Sequence, residues 1–482
     1  MHPNRKIKRV MLTYPNQRWY KQDMTTTWNP SPYTLCMLGT MIQDRYEVKI
    51  LDAHFPNLSE DEFRKEVEAF RPDCVGISVL TSEYASILDT AVAIIKSINP
   101  TIVTIAGGVH VSTQYFRVMG NKELDYAVRG EGEKVFPEFL GFLNGENPFP
   151  SKGMVYREPD GKLKAQEPDF IQDLDSLPLP NYDLMDYLAY ANAKPRGYSV
   201  DSVTVYPHAR LLSSRGCPVG CSFCQVDTIA GSQWRARSPE KVVEELIMLK
   251  EKYGIKGFVF EDDNPFGQKR RTKQMLKLFI EKKLNLIWKA ADVAVFVTDG
   301  EILKLMAESG CIGIGIAIES GSERILRTIV KKPVDLKKVP ETIKLAHKYG
   351  LYVSANFIIG FPGETWEEIR MTLDYAESCG ADYCKFFPAN PLIGTRLFAM
   401  AKEMNAIEGD ENEVGWRYGR IKSDDFTTQD ISILRCYEWD RINFSDPEKL
   451  RLTASIMGIT TEELNAIRKS TRENLKFGSA VV

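Results

Sequence analysis

The 482-residue chain has no apolar run approaching the ~18–20 residues that a bilayer-spanning helix requires. It has no excess of charge of either sign. Lys and Arg total 62 against 65 Asp and Glu, a net charge of −3 with a pI near 6.1. The strongly basic face of a general nucleic-acid binder is therefore not expected, although a local basic pocket is compatible with this balance. The basic start Met1-His2-Pro3-Asn4-Arg5-Lys6-Ile7-Lys8 is followed by no sustained apolar core or small-residue cleavage site, which points to the cytoplasm. The nine cysteines are odd in number and sit in a long chain, so they read as thiols or metal ligands and not as a disulfide framework. No GxGxxG fingerprint follows the first strand, which argues against NAD. What is present is ordinary for a folded protein: 43% hydrophobic and 26% charged residues. The length suggests roughly three domains and ample core without disulfide help.

Strand and helix signals alternate through the first 145 residues. Strands are predicted at Val10–Tyr14, Glu47–Leu51, Cys74–Leu80, Thr101–Ala106 and Tyr126–Val128, with helices at Tyr33–Asp44, Glu60–Phe70 and Ala85–Ile98. Short apolar strands alternating with helices predict a doubly wound, Rossmann-like parallel sheet. Its ligands would sit at the carboxyl ends of the strands. Residues 146–205 break the rhythm with Pro148, Pro150, Pro159, Pro168, Pro178, Pro180 and Pro195, and read as a linker with a short hairpin near Met154–Lys164. From 206 to 400 the alternation resumes. Six strands are predicted at Arg210–Ser214, Gly257–Glu261, Leu286–Asp292, Ile312–Glu319, Tyr352–Gly360 and Tyr383–Pro388. Several intervening helices end in glycine (Gly254, Gly310, Gly350, Gly380). This predicts a partial (β/α)6 barrel of the TIM type, followed by a mostly helical extension over 401–482.

Three cysteines carry the chemistry. Cys217-Pro218-Val219-Gly220-Cys221-Ser222-Phe223-Cys224 is a C-x3-C-x2-C run directly after the first barrel strand. A structural zinc site recruits four protein ligands, and no nearby Cys or His supplies a fourth. An iron–sulfur cube also takes four ligands, so three cysteines leave one iron open to an amino-carboxylate chelate. The run resembles the radical S-adenosylmethionine superfamily, with Phe223 as the aromatic before the third cysteine. The resemblance implies that Cys217, Cys221 and Cys224 hold a [4Fe-4S] cluster whose fourth iron is chelated by S-adenosylmethionine. It also implies one-electron cleavage to a 5′-deoxyadenosyl radical. Glu261, Asp262 and Asp263 end strand two, where the family contacts the cofactor's amino group. Glu319, Ser320 and Gly321 resemble the ribose-contacting segment after strand four, and Gly360 follows strand five; Gly394 marks the same face after strand six. These are carboxyl ends of strands, the functional face of such barrels.

Glycine-rich loops follow strands three to five: Gly76-Ile77-Ser78-Val79-Leu80-Thr81-Ser82, Ala106-Gly107-Gly108-Val109-His110 and Arg129-Gly130-Glu131-Gly132-Glu133. Paired glycines let a backbone approach a bulky ligand. Together with the barrel that follows, the pattern resembles the cobalamin-dependent class of that superfamily, over about residues 8–400. The resemblance implies a cobalamin groove lined by Ser78, Leu80, Thr81, Gly107, Gly108, His110, Gly130, Glu131 and Gly132. Asp52-Ala53-His54 starts like a D-x-H-x-x-G cobalt-ligating loop. However, it follows the second strand, and Asn57 replaces the glycine, so His54 is not expected to be the lower axial ligand.

Cys36, Cys74, Cys311 and Cys379 read as buried thiols. Cys384 and Cys436 keep two alternatives, a buried thiol or a hydrogen donor near the barrel. Lys269-Arg270-Arg271 with Lys273 reads as a solvated helix start that would also suit an acidic flavodoxin. Trp416, Tyr418, Tyr437 and Trp439 either cover the barrel mouth or pack against it. The resemblance implies methylation of an unactivated carbon of a small-molecule or lipid-like substrate, through a 5′-deoxyadenosyl radical and methylcobalamin. The electron donor would be of flavodoxin or ferredoxin type. The alternatives are oxidative cyclisation, ring contraction or rearrangement with the same cofactors, and a non-enzymatic cobalamin sensor or carrier. A methylthiotransferase is disfavoured because its extra N-terminal cluster cysteines and C-terminal RNA-binding barrel are not seen.

Overall fold

In a computed structural model of the chain, residues 6–20, 31–194, 199–412 and 414–473 are described; Pro195 lies outside them. The chain divides into two units, Met1–Gly197 with Thr228–Gly231, and Tyr198–Asp227 with Ser232–Val482.

The first unit alternates β1 (Arg9–Tyr14), α1 (Tyr33–Ile42), β2 (Glu47–Asp52), α2 (Glu60–Phe70), β3 (Cys74–Ser78), α3 (Ser86–Ile98), β4 (Val103–Gly107), α4 (Val109–Val118), β5 (Tyr126–Val128) and α5 (Gly132–Leu143). Helix α2 begins with a capping box, the Ser59 side chain on the Glu62 amide and Glu62 back on Ser59. The five strands pair in parallel in the order β2-β1-β3-β4-β5. Successive side chains of a strand point to opposite faces. Val75 and Ile77 accordingly pack with Phe63, Leu88 and Val92, while Cys74 joins Leu35, Phe136 and Phe139 on the other face. The predicted hairpin is present as β6 (Met154–Arg157) and β7 (Leu163–Ala165). It extends the same sheet as two antiparallel strands beyond β5. A short helix, α6 (Tyr187–Ala191), follows.

The second unit holds β8 (His208–Leu211), β9 (Ser214–Arg215) and β10 (Arg235–Ala236), with β9 and β10 paired antiparallel; α7 (Val226–Ile229) lies between them in the chain, its last two residues belonging to the first unit. Next come α8 (Pro239–Tyr253), β11 (Gly257–Phe260), α9 (Lys269–Glu281), β12 (Ile287–Val293), α10 (Gly300–Glu308), β13 (Cys311–Glu319), α11 (Lys338–Lys348), β14 (Tyr352–Ile359), α12 (Trp366–Ser378) and β15 (Tyr383–Pro388). The six barrel strands are parallel and adjacent in chain order, β15-β14-β13-β12-β11-β8, the partial TIM-like barrel that the repeats predict. Phe258 and Phe260 of β11 and Trp288 of β12 pack against one another, and Phe279 of α9 closes on Phe258. At the amino ends of the strands, Lys289 Nζ donates to the Val200 and Ser202 carbonyls at 2.8 Å, and Lys385 pairs with Asp201 at 2.5 Å. The opposite ends carry the functional loops.

Four helices complete the unit: α13 (Arg396–Glu403), α14 (Thr428–Phe444), α15 (Pro447–Met457) and α16 (Thr461–Glu473). A sheet edge exposes unpaired backbone groups. On β15, Asn443 of α14 covers one such pair, accepting from Cys384 N at 2.7 Å and donating to Cys384 O at 2.8 Å. The Cys384 thiol points to the helix side, donating to the Ala376 carbonyl at 3.3 Å, and Cys436 is buried with its thiol 3.7 Å from the Thr471 carbonyl. Both are therefore packed thiols, and of their two alternatives the hydrogen-donor one has no support in this geometry. The tail aromatics separate. Trp439 donates to Tyr383 OH at 2.7 Å, at the start of β15. The Gly415 carbonyl, next to Trp416, accepts from Asn390 at 2.7 Å beyond the strand's carboxyl end. Tyr437 is exposed.

Candidate cofactor sites and relationship to known proteins

The cysteine run occupies the loop between β9 and α7, beyond the carboxyl end of β8. Gly216 and Gly220 hold positive φ values of 78° and 65°, which bend the loop back on itself. It is pinned from two sides: Ser222 N donates to the Val330 carbonyl at 2.9 Å, and Leu397 N donates to the Ser222 carbonyl at 2.8 Å. Arg396 holds the Gly220 carbonyl. All three cysteines are partly exposed, whereas the other six are buried. Burial pushes the Cys221 thiol up to about 11 and Cys224 up to about 12; Cys221 also feels Cys217, and Cys224 feels both Cys221 and Cys217. Among the described residues, no three His, Cys, Asp or Glu side chains converge on a single metal-ion position. The loop instead offers three soft thiol donors on a short arc, the donor chemistry of a multi-iron cluster in which each thiolate takes its own iron.

The predicted S-adenosylmethionine contacts fall into two groups. Phe223 packs toward Phe361 with ring centroids 6.5 Å apart. Asp263 is exposed and acts electrostatically on Cys224. Glu319 acts on Cys221 and is held by Lys332 at 2.7 Å in an almost fully buried ion pair. The backbone of Glu319 has φ = 74°, a left-handed conformation that few non-glycine residues adopt and that clusters at functional sites. The remaining residues are engaged in scaffolding. Asp262 accepts from Ser213 N, Ser213 Oγ and Ser214 Oγ at 2.6–2.9 Å, and Glu261 pairs with Arg210. The Ser320 hydroxyl and Gly321 N both meet Thr372 Oγ1 of α12, at 3.1 and 3.0 Å. Gly360 N donates to Glu364 Oε2 at 2.7 Å.

The basic helix start divides: Lys269 and Arg270 are exposed, as a solvated start requires, and Arg271 is the exception. Arg271 is buried, with Nε on the Arg237 carbonyl at 2.7 Å and Nη2 on the Ser213 carbonyl at 3.1 Å. Lys269 and Lys273 pair with Asp299, and Lys273 also with Glu301. Of these charges, Arg271 braces the stem of the cysteine loop through the Ser213 carbonyl.

In the first unit, Ser78, Leu80 and Thr81 line a narrow cleft together with Tyr14, Gln17, Asp52, His54 and Tyr84. The strand order β2-β1-β3 brings these chain segments together at the topological switch point, where such sheets bind ligands. The Gln17 Oε1 atom is buried without a partner, an acceptor suited to the amide donors around a corrin ring. The two central glycines differ. A Cβ on Gly107 would meet nothing within 4 Å, whereas one on Gly108 (φ = 96°) would lie 2.7 Å from the Val79 carbonyl. Gly108 thus serves the close approach of two loops, and Gly107 opens onto free space that a bulky ligand can fill. These features fit cobalamin.

His110 is not among the cleft residues. Its Nδ1 lies 2.9 Å from Ser82 Oγ, burial pushes its pKa down to about 4, and it faces a second cavity with Asp89 and Arg117. Gly130 packs against Pro168 and Phe170, Gly132 approaches Leu38, and Glu131 accepts from Ile171 N at 2.7 Å. His54 Nδ1 lies 3.2 Å from Asn16 Oδ1. Sequence reasoning did not find Gln17, Tyr14 or Lys332, which carry no motif and enter only through strand order and chain return.

Comparison with known proteins gives two domain matches, a B12 binding domain over residues 29–140 and the Radical SAM superfamily over 211–376. An uncharacterized methyltransferase of Pyrococcus horikoshii is 33% identical over 437 residues, 89% of this chain and 91% of that one. The cytidylyl-2-hydroxyethylphosphonate methyltransferase of Streptomyces wedmorensis is 29% identical, covering 85% and 84%. The anaerobic magnesium-protoporphyrin IX monomethyl ester cyclase of Rubrivivax gelatinosus is 27% identical, covering 81% and 69%. The fold matches that of the radical S-adenosylmethionine methyltransferase TsrM from Kitasatospora setae, with a TM-score of 0.70, 17% identity and coverage of 97% and 99%. No helix among the described residues is long and apolar enough to cross a membrane. The two domains in one chain and a relative aligned over nearly its whole length show that the protein belongs to the cobalamin-dependent radical S-adenosylmethionine enzymes, which work with a [4Fe-4S] cluster, S-adenosylmethionine and cobalamin.

Proposed function

We propose that the enzyme methylates an unactivated carbon of a small-molecule substrate, in the cytoplasm, with electrons from a flavodoxin- or ferredoxin-type donor. The reading rests on the three-thiol loop at the mouth of a partial barrel in a chain that also carries a B12 binding domain. Two of the three relatives described above are named methyltransferases. The three cofactors together supply one-electron chemistry and a transferable methyl group. Cys217, Cys221 and Cys224 would hold the cluster; Phe223, Asp263 and Glu319 would contact S-adenosylmethionine. Of the other residues assigned to that cofactor, Glu261, Asp262, Ser320, Gly321 and Gly360 would act through the scaffold that shapes its site. Ser78, Leu80, Thr81 and Gly107 would line the cobalamin groove with Gln17. Gly108, Gly130, Glu131 and Gly132 would shape that groove from behind, and His110 would act through Ser82.

The division of labour follows the chain. Residues 1–145 would bind cobalamin, 146–205 connect, 206–400 perform the radical step and 401–482 shape the substrate site. The protein's own contribution is to orient the target carbon and keep competing hydrogen donors out. The segment 414–418 is suited to this, since Gly415 is tied to Asn390 beyond the end of β15. Oxidative cyclisation is the second reading, favoured by the named cyclase among the relatives. Anaerobic reconstitution with iron, sulfide and hydroxocobalamin, followed by product analysis, separates them. Methyl transfer yields S-adenosylhomocysteine alongside 5′-deoxyadenosine, and cyclisation yields 5′-deoxyadenosine alone. The Cys221→Ala variant is expected to form no 5′-deoxyadenosine, and retention of that product would overturn the cluster assignment.

A further inference from the structure

We infer that Asn264 is a positioning residue that tunes the reduction potential of the cluster through an N–H···S contact to Cys217. This rests on the reading of Cys217, Cys221 and Cys224 as the cluster ligands. The Asn264 side chain places Nδ2 3.9 Å from Cys217 Sγ, while its Oδ1 is buried with no partner. The residue as a whole is 5% exposed. The carboxamide could be turned over to exchange the two atoms, and its orientation must be settled by its neighbours. A ligating thiolate only accepts hydrogen bonds. Oxygen facing sulfur would set two acceptors together, whereas nitrogen facing sulfur makes a bond.

The backbone leaves the side chain little freedom to leave this position. The Asn264 carbonyl accepts from Trp234 Nε1 at 2.8 Å and Ser214 Oγ at 3.1 Å. The next residues lead into Phe266, which is buried against Phe260 with ring centroids 5.4 Å apart. The same Ser214 hydroxyl meets Asp262 at 2.6 Å, so the stem of the cysteine loop and the loop after β11 are tied together beneath the contact. Hydrogen bonds to cluster and ligand sulfur stabilise the reduced, more negative state and so raise the potential. Asn264 does this without a net charge, leaving the carboxylates and Lys332 to serve the cofactor at the open iron.

The test is an EPR-monitored redox titration of the reconstituted full chain, without S-adenosylmethionine, in which an external reductant supplies the single electron. Iron and sulfide are assayed in parallel. In Asn264→Leu, which keeps the size but has no donor, the equilibrium constant for reduction is expected to fall about tenfold, a shift of about 59 mV to more negative potential. Asn264→Asp also lacks the donor and adds an anion, so its potential should fall further. Either variant with wild-type iron content and an unchanged potential overturns the inference. Failure of both to load iron while the wild type loads it also overturns it, making Asn264 a structural support of the loop. A wild type that binds no iron would instead refute the cluster assignment beneath it.

Discussion

The adjacent glycines after β4 separate a ligand contact from a packing requirement. In Gly108→Ala the new Cβ lies 2.7 Å from the Val79 carbonyl and 2.9 Å from Ser78 Oγ, at φ = 96°. The backbone at φ = 96° and ψ = −174°, a region essentially only glycine occupies, costs an alanine roughly 1–3 kcal/mol, and displacing a strand-end carbonyl that accepts from His110 N adds to it, for about 3 kcal/mol in all. At ~2–4 °C per kcal/mol for a unit of this size, the apoprotein should melt about 6–12 °C lower. In Gly107→Val the new Cβ meets no neighbour within 4 Å, so the apoprotein melting temperature should stay within about 2 °C of wild type. Its branched side chain would stand in the groove, and the loss of a close corrin contact should weaken cobalamin binding at least about tenfold, ~1.4 kcal/mol. Thermal unfolding by circular dichroism and an absorbance titration with hydroxocobalamin measure the two effects. A Gly107→Val protein that is as stable as wild type and binds cobalamin equally well would refute the placement of the cofactor. A Gly108→Ala protein of unaltered stability would refute the packing argument.

Two further perturbations test the barrel. Glu364 is fully buried; burial raises its pKa to about 8 against the opposing effect of the Phe361 and Gly360 amides. The native state therefore holds this proton more tightly than the unfolded chain, so its stabilising contribution is complete below about pH 4.5 and is lost as pH rises through 8, by on the order of 5 kcal/mol. Glu364→Gln should flatten that part of the stability profile in denaturant titrations from pH 5 to 8, and parallel profiles would contradict the burial argument. Lys332→Met leaves the Glu319 carboxylate buried without its cation, which should destabilise the second unit by about 3–5 kcal/mol. The double variant Glu319→Gly/Lys332→Met should recover most of that loss in a melting experiment while remaining catalytically dead; a double variant as unstable as the single one would show that the pair is not the source.

The architecture was legible because each signal acts over a few residues. Apolar runs of strand length alternate with helical spacing, and Gly254, Gly310, Gly350 and Gly380 all take positive φ behind their helices. The cysteine loop was legible for the same reason, since its three thiols and its bending glycines lie within nine residues. What could not be read is what depends on return of the chain. Tyr14, Gln17 and Asp52 face Ser78 only because β3 inserts beside β1. Arg271 has the sequence context of a surface charge, yet its length carries the guanidinium under the cysteine loop. Glu319 shows the limit most clearly. The residue is legible as a candidate, but no pattern announces that it takes φ = 74°, where local chemistry favours glycine, at a cost of about 1–2 kcal/mol. The strain persists because β13 slips register between Ala317 and Glu319 and Lys332 closes on the carboxylate from thirteen residues downstream. A residue held against its backbone preference and acting on Cys221 is one whose side chain, and not its place in the fold, accounts for its presence.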